Sequence, residues 1–188
     1  VFRSGDVIED PATGTRLVFR RTAAETGGGA VVVEAFLEPN GLVPRERVHP
    51  HQEQRLEVLA GSLGASIGGS RSVAGAGARL TVPPGVRCRF WNAGDDVVHV
   101  VLEVAPALRF ESLVECACAL GVATAAGLRP GPLRRAVVAA AHFDTARPAF
   151  PPSPLQRLWL AVAAPLGRAL VRRDTPSPTP PDASGYLS

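Results

Sequence analysis

Turn signals built mostly from Gly and Pro recur so closely through residues 1–107 that short β-strands are the only regular elements with room to repeat. Runs rich in apolar and β-branched residues stand at Leu17–Phe19, Val31–Leu37, Arg55–Leu59, Leu63–Ile67, Leu80–Val82, Val86–Trp91 and Val97–Val104. A further short extended stretch carries His49, held out of helix by Pro44 and Pro50. Between them lie Gly27-Gly28-Gly29, Pro39-Asn40-Gly41, Gly61, a Gly, Ser and Ala stretch at 68–79 that suits a loose hairpin, Pro83-Pro84-Gly85, and Asn92 to Asp96. About eight short strands at this spacing predict an all-β sandwich or barrel rather than a βαβ sheet.

The pattern changes after Pro106. Residues 109–126 are rich in Ala and Leu without β-branched alternation, and Gly127 with Pro130-Gly131-Pro132 ends the run. Leu133 to Phe143 is a second helix candidate. A third begins with Ser153 as N-cap, Pro154 at the first helical position and Gln156 behind it. Leu155, Leu158, Trp159, Val162, Leu166 and Leu170 share one face there at helical spacing. That face needs cover, from the chain's own barrel or from a second copy. The Pro, Ser and Thr run beyond Asp174 cannot pack. The expected division is therefore a barrel over 1–107, a helical extension over 108–173 and a disordered tail over 174–188.

Charge and cysteine usage narrow the function classes. The formal net charge is +3, and all twenty basic residues are Arg, scattered in ones and twos. Nucleic-acid binders gather such charge into a stripe, so no nucleic-acid partner is expected. Cysteines fall only at 88, 116 and 118, an odd set that argues against a disulfide scaffold. Residues 1–20 carry no targeting pattern and no apolar run is long enough to span a bilayer. The expected setting is cytoplasmic, with no membrane partner.

Chemistry-bearing side chains cluster at 47–57. On a straight strand Arg47, His49 and His51 would share a face, and Gln54, Leu56 and Val58 would share one on the neighbouring strand. A barrel mouth could bring His49, Gln54 and Cys88 together. Glu34, His99 and Glu103 interrupt apolar strands, and a Glu buried there would be costly unless paired. Any of the three, if turned into the cavity, could orient His49 or act as a base. Phe36, Phe90 and Trp91 are core or pocket-wall candidates. His142 reads as a helix-end residue, and Cys116 and Cys118 as packing residues.

These residues resemble the two motifs of the germin-like cupins. The first motif runs from Gly through His-x-His and Glu to Gly, and is matched in spacing by Gly41, Arg47, His49, Gln54 and Gly61. The second, Gly, Pro-x-Gly, His and Asn, is matched by Gly77, Pro83, Gly85, Cys88 and Asn92. The resemblance implies a cupin-like jelly-roll barrel, mainly β, with the C-terminal α-helices packed against it and with paired barrels as a possible homodimer. In the family, three His and one Glu at these positions commonly bind a metal. Here three of the four are replaced, by Arg47, Gln54 and Cys88, with His49 retained. The phrase His-Pro-His-Gln-Glu is also similar to that of small bacterial cupins with a hydrophobic helical extension.

A guanidinium has no lone pair to give and would repel a cation, so neither a metal nor another cofactor is expected. A remodelled site of His49, His51, Gln54 and Cys88 is the alternative. Without metal, Arg47 can clamp an anionic oxygen and His49 can move a proton, with Glu34 or Glu103 as supporting acid-base groups. His51, Gln54, Cys88, Phe36, Phe90 and His99 are then candidate substrate contacts. The leading expectation is a metal-independent enzyme for a hydrophobic small molecule, acting as cyclase, isomerase or dehydratase. A binding module without chemistry and a metal-dependent oxygenase or isomerase are the alternatives.

Overall fold

The structure is a computed structural model that describes residues 2–11, 13–40, 46–125, 142, 145–149 and 154. Eleven strands and one helix are present among them. In order these are β1 (Val7–Asp10), β2 (Thr15–Arg21), β3 (Val31–Leu37), β4 (Arg47–Val48), β5 (Glu53–Ala60) and β6 (Leu63–Ile67). They continue as β7 (Ser70–Ala74), β8 (Arg79–Val82), β9 (Arg87–Asn92), β10 (Val98–Ala105), α1 (Phe110–Ala125) and β11 (Arg147–Pro148). The strands form two antiparallel sheets, one in the order β1-β2-β3-β10-β5-β8 and the other β11-β4-β9-β6-β7. This is a jelly-roll arrangement, within the all-β class that the turn spacing predicts and of the form that the cupin resemblance implies.

Alternation along each strand decides which side chains face the interior. Val31, Val33 and Ala35 on β3, Leu56 and Val58 on β5, Cys88 and Phe90 on β9, and Val98, Val100 and Val104 on β10 are buried between the sheets. Around Phe19, Val31, Val33 and Val104 a second cluster takes in α1 through Phe110, Val114 and Cys118. These three recur every fourth residue, so one stripe of α1 closes over the first sheet. Glu111 Oε1 also accepts a hydrogen bond from the Ala23 amide (2.7 Å), tying the helix to the β2–β3 connection.

Three features depart from the strand and domain expectations. β1 pairs with β2 although its Val-Ile-Glu-Asp sequence carries little β signal. The stretch expected as a loose hairpin contains an ordered strand, β7, joined to β6 through Gly68 and Gly69, both at positive φ. Arg147 and Pro148 lie in the 108–173 extension, between its second and third helix candidates, and they pair with Val48 and Arg47 and so join a barrel sheet. The other two predicted helices, Leu133–Phe143 and the one beginning at Ser153, and the predicted tail lie outside the described residues apart from His142 and Pro154. Among the described residues no helix is long and apolar enough to cross a membrane.

Gly64 shows how closely the second sheet packs on its outer face. A Cβ placed there would fall within the Trp91 indole, whose ring crosses the bare backbone directly opposite it in the β6–β9 register. Gly64→Ala should therefore cost about 1–3 kcal/mol through forced displacement of the ring. Urea unfolding followed by tryptophan fluorescence should show the lowered midpoint.

Candidate functional site

A cavity of about 340 Å³ lies between the sheets and under α1. Its wall is chiefly apolar, formed by Leu56, Leu63, Phe90 and Val100 from the strands and by Leu113 and Val114 from the helix. Arg47 and His49 reach this space from β4 and the residue following it. The size and character are those of a small-molecule pocket, in which a few polar groups orient a mostly apolar ligand.

The imidazole of His49 is only 2% exposed. Its Nδ1 lies 3.0 Å from Gln52 Oε1, and Gln52 is itself fully buried. The Gln52 amide nitrogen faces two carbonyl oxygens, Pro106 O at 2.8 Å and Ala107 O at 2.9 Å. Both of its hydrogens are donated there, so its oxygen must point to His49, and only a protonated Nδ1 can bond to that oxygen. The neutral ring is thus held as the Nδ1–H tautomer with a bare Nε2. Nε2 is buried and has no hydrogen-bond partner among the described residues.

Burial first, and the nearby positive charge of Arg47 second, push the His49 pKa down to about 4; the Gln52 bond and the Thr145 main chain oppose this more weakly. Thr145 is near enough to favour the imidazolium without meeting hydrogen-bond geometry at Nε2. At neutral pH the ring is therefore an uncharged proton acceptor. Phe110 packs against it with ring centroids 6.5 Å apart. The returning segment completes the surroundings: Ala146 lines the cavity, and His142 Nε2 lies 3.0 Å from Ser112 Oγ on α1.

Several expected site residues stand elsewhere. Glu34, Phe36, His99 and Glu103 occupy the outward positions of β3 and β10, because their neighbours Val33, Ala35, Val98, Val100 and Val104 take the interior. This corrects the expectation that Glu34, His99 or Glu103 turns into the cavity and that Phe36 lines it. Glu34 instead accepts from Arg20 at 2.8 and 2.9 Å and meets His99 Nε2 at 3.2 Å, and Arg20 holds its carboxyl below the usual carboxylate range. Glu103 pairs with Arg55 (3.1 Å). Phe36 stacks on His99 at 4.3 Å, with Arg16 over its other face at 4.1 Å.

His51 is exposed, since β4 is only two residues long and the chain bends at Pro50 and His51. The bend shifts the strand parity, so Gln52 takes the inward position expected for His51. Gln54 is buried and donates to Cys88 Sγ across 3.9 Å, and both pack into the core rather than facing the cavity. Burial pushes the Cys88 thiol up, which keeps it neutral. Gln52 is the functional residue that sequence reasoning missed, and its one signal was its place within His-Pro-His-Gln-Glu.

The donors at the motif positions do not suit a metal ion. Arg47 pairs in register with Cys88, so a guanidinium stands beside the neutral thiol and the retained imidazole. Gln54 turns its NH2 toward that sulfur, and His51 points away. Among the described residues no group of three or more His, Cys, Asp or Glu could hold a metal.

No family model and no curated protein sequence matches the chain. Solved structures similar to it include Pac13, a nucleoside dehydratase from Streptomyces (21% identity, 57% of this chain and 81% of that one, TM-score 0.46). A predicted oxalate decarboxylase from Thermotoga maritima is 14% identical over 56% of this chain and 98% of its own, with a TM-score of 0.49. A cupin-superfamily sugar phosphate isomerase from Silicibacter pomeroyi is 18% identical over 50% and 60%, with a TM-score of 0.44. The two-sheet strand order is that of a jelly-roll fold, and the described residues of the two motifs lie on or beside β4, β5, β8 and β9.

Proposed function

We propose that the chain is a metal-independent cupin enzyme that isomerises, cyclises or dehydrates a mostly apolar small molecule by proton transfer. The observation that supports this is that Arg47 and His49 line one largely apolar cavity, with the buried Nε2 of His49 lacking a hydrogen-bond partner among the described residues. Arg47 forms no ion pair among the described residues, so its donors are available to an anionic or carbonyl oxygen of the ligand. His49 Nε2 then takes a proton from the adjacent carbon, and the released electron pair moves onto the oxygen facing Arg47. The imidazolium gives its proton back at a conjugated carbon for isomerisation or ring closure, or to a departing hydroxyl for dehydration. No external oxidant or reductant is needed.

The Nδ1 side supports the same cycle. Gln52 Oε1 accepts from Nδ1–H in both the neutral and the charged ring, so the base stays aimed while its charge changes. An anion bound by Arg47 offsets the charge that depresses the His49 pKa, so ligand binding itself strengthens the base.

The reading is tested by incubating the protein with a small-molecule extract in the presence of a chelator and following masses that are converted. Conversion without net change in mass, or with loss of water, is expected to proceed at the same rate before and after chelation. The bound metal content should stay well below one ion per chain. Conversion that requires added metal would overturn the proposal, and binding without any conversion would reduce the chain to a binding module.

A further inference from the structure

We infer that the outer face of the second sheet is a docking surface for an extended acidic peptide, one with carboxylates at two alternate positions and an apolar residue at the next. Cys88 and Phe90 take the interior positions of β9, so Arg87, Arg89 and Trp91 stand on its outer face at every second residue. Across the register Arg89 lies opposite Ser66, and Ser66 opposite Arg71. Trp91 lies opposite Gly64, and Gly64 opposite Val73. Folding thus gathers on one face arginines that the sequence holds singly on β7 and β9.

Their pairing sets these three guanidiniums apart. On the first sheet Arg20, Arg55 and Arg79 each meet a glutamate at 2.7 to 3.1 Å. Arg71, Arg87 and Arg89 form no ion pair among the described residues. The Arg87 guanidinium crosses Gly69, where a Cβ would collide with it, and so leans toward β7 and Arg71. The guanidinium carbon of Arg89 lies over the Trp91 ring, 5.3 Å from its centre, and Arg89 Nε is buried with no hydrogen-bond partner among the described residues. Glu46 reaches the same face, but its carboxylate accepts from Ser66 Oγ (3.0 Å) and pairs with none of the three. Such a face favours a ligand that brings carboxylates of its own.

Spacing chooses the form of the ligand. Side chains on one face of an extended chain recur every second residue, about 6.7 Å apart, in the ligand as in β9. A peptide lying along β9 therefore sets two alternate carboxylates on Arg87 and Arg89, and its next residue on that face beside Trp91 and the 65% exposed Val73. A second copy of this chain does not supply the pattern. No two of its seventeen acidic residues stand two positions apart, and residues 126–188 hold eight arginines against Asp144, Asp174 and Asp182. The partner is a different, acidic polypeptide.

Titrations read by nitrogen-15 NMR test this, with the Trp91 indole signal identified by its loss in Trp91→Phe and each variant's melting temperature recorded. The probes are the peptide TETETVT, its isomer TEETTVT, whose adjacent acids face opposite sides, and a short thymidine oligonucleotide. Wild type should bind TETETVT about fivefold more tightly than TEETTVT, and salt at about 0.5 M should remove most of the binding. Arg87→Gln and Arg89→Gln should each weaken it about threefold, the scale of one exposed ion pair, and the double variant about tenfold. Arg79→Gln, on the other sheet, should leave it unchanged. Equal binding of the two peptides overturns the alternating pattern, and affinity that survives both Arg87→Gln and the double variant overturns the surface. Tighter binding of the oligonucleotide than of TETETVT overturns the peptide as occupant, and a wild type that binds no probe overturns the whole inference.

Discussion

His49→Asn should lower turnover of the natural ligand by between about a hundredfold and ten-thousandfold, the range expected when a positioned general base is removed. Asn is the informative replacement because its amide NH2 can take the place of Nδ1–H against Gln52 Oε1, so the buried contact to the Pro106 and Ala107 carbonyls is retained. What is lost is Nε2. Binding of the ligand should change little, since Arg47 and the apolar wall are untouched. Arg47→Met should have the complementary signature, raising KM and lowering kcat together, because an anion that strengthens in the transition state loses its partner. A steady-state split of kcat from KM for the two variants measures this directly.

The second large effect is acid lability centred on the same residue. The His49 pKa is about 4 in the folded protein against 6.5 when free. As pH falls below 6.5 the unfolded chain takes up a proton that the folded chain refuses, so stability drops with decreasing pH. The fall should run from pH 6.5 to about 4 and total on the order of 3 kcal/mol. Above pH 6.5 neither state is protonated at His49 and the contribution is constant. Glu34 has the same sign in a lower window, since its depressed carboxyl pKa makes its stabilisation disappear only on acidification below the usual carboxylate range. Urea unfolding at a series of pH values should show the upper slope in wild type and its absence in His49→Asn.

The β class and most of the strands were legible because Val31–Leu37, Arg55–Leu59 and Val97–Val104 each carry their own β signal between turn residues. Side-chain direction was harder. Val32, Phe36 and Val101 make both faces of β3 and β10 apolar, so the pattern alone did not force Glu34, His99 and Glu103 outward; pairing with Arg20 and Arg55 settles it. Gln52 takes the inward place expected for His51 because one bend at Pro50 and His51 reverses parity, and no periodicity can register a bend of that length. β11 is two residues long and owes its existence to β4, a partner about one hundred residues earlier, as long-range pairing requires.

The barrel holds His49 as an uncharged Nδ1–H ring whose Nε2 has no hydrogen-bond partner among the described residues. Nitrogen-15 NMR of the imidazoles reads this directly, with the His49 signals identified among the four histidines by their loss in His49→Asn. The expected result is a protonated Nδ1 and an unprotonated Nε2 at pH 7, unchanged by chelator and titrating near 4. A ring titrating near its free value, an Nε2–H tautomer, or an Nε2 resonance that shifts when metal is removed would contradict it.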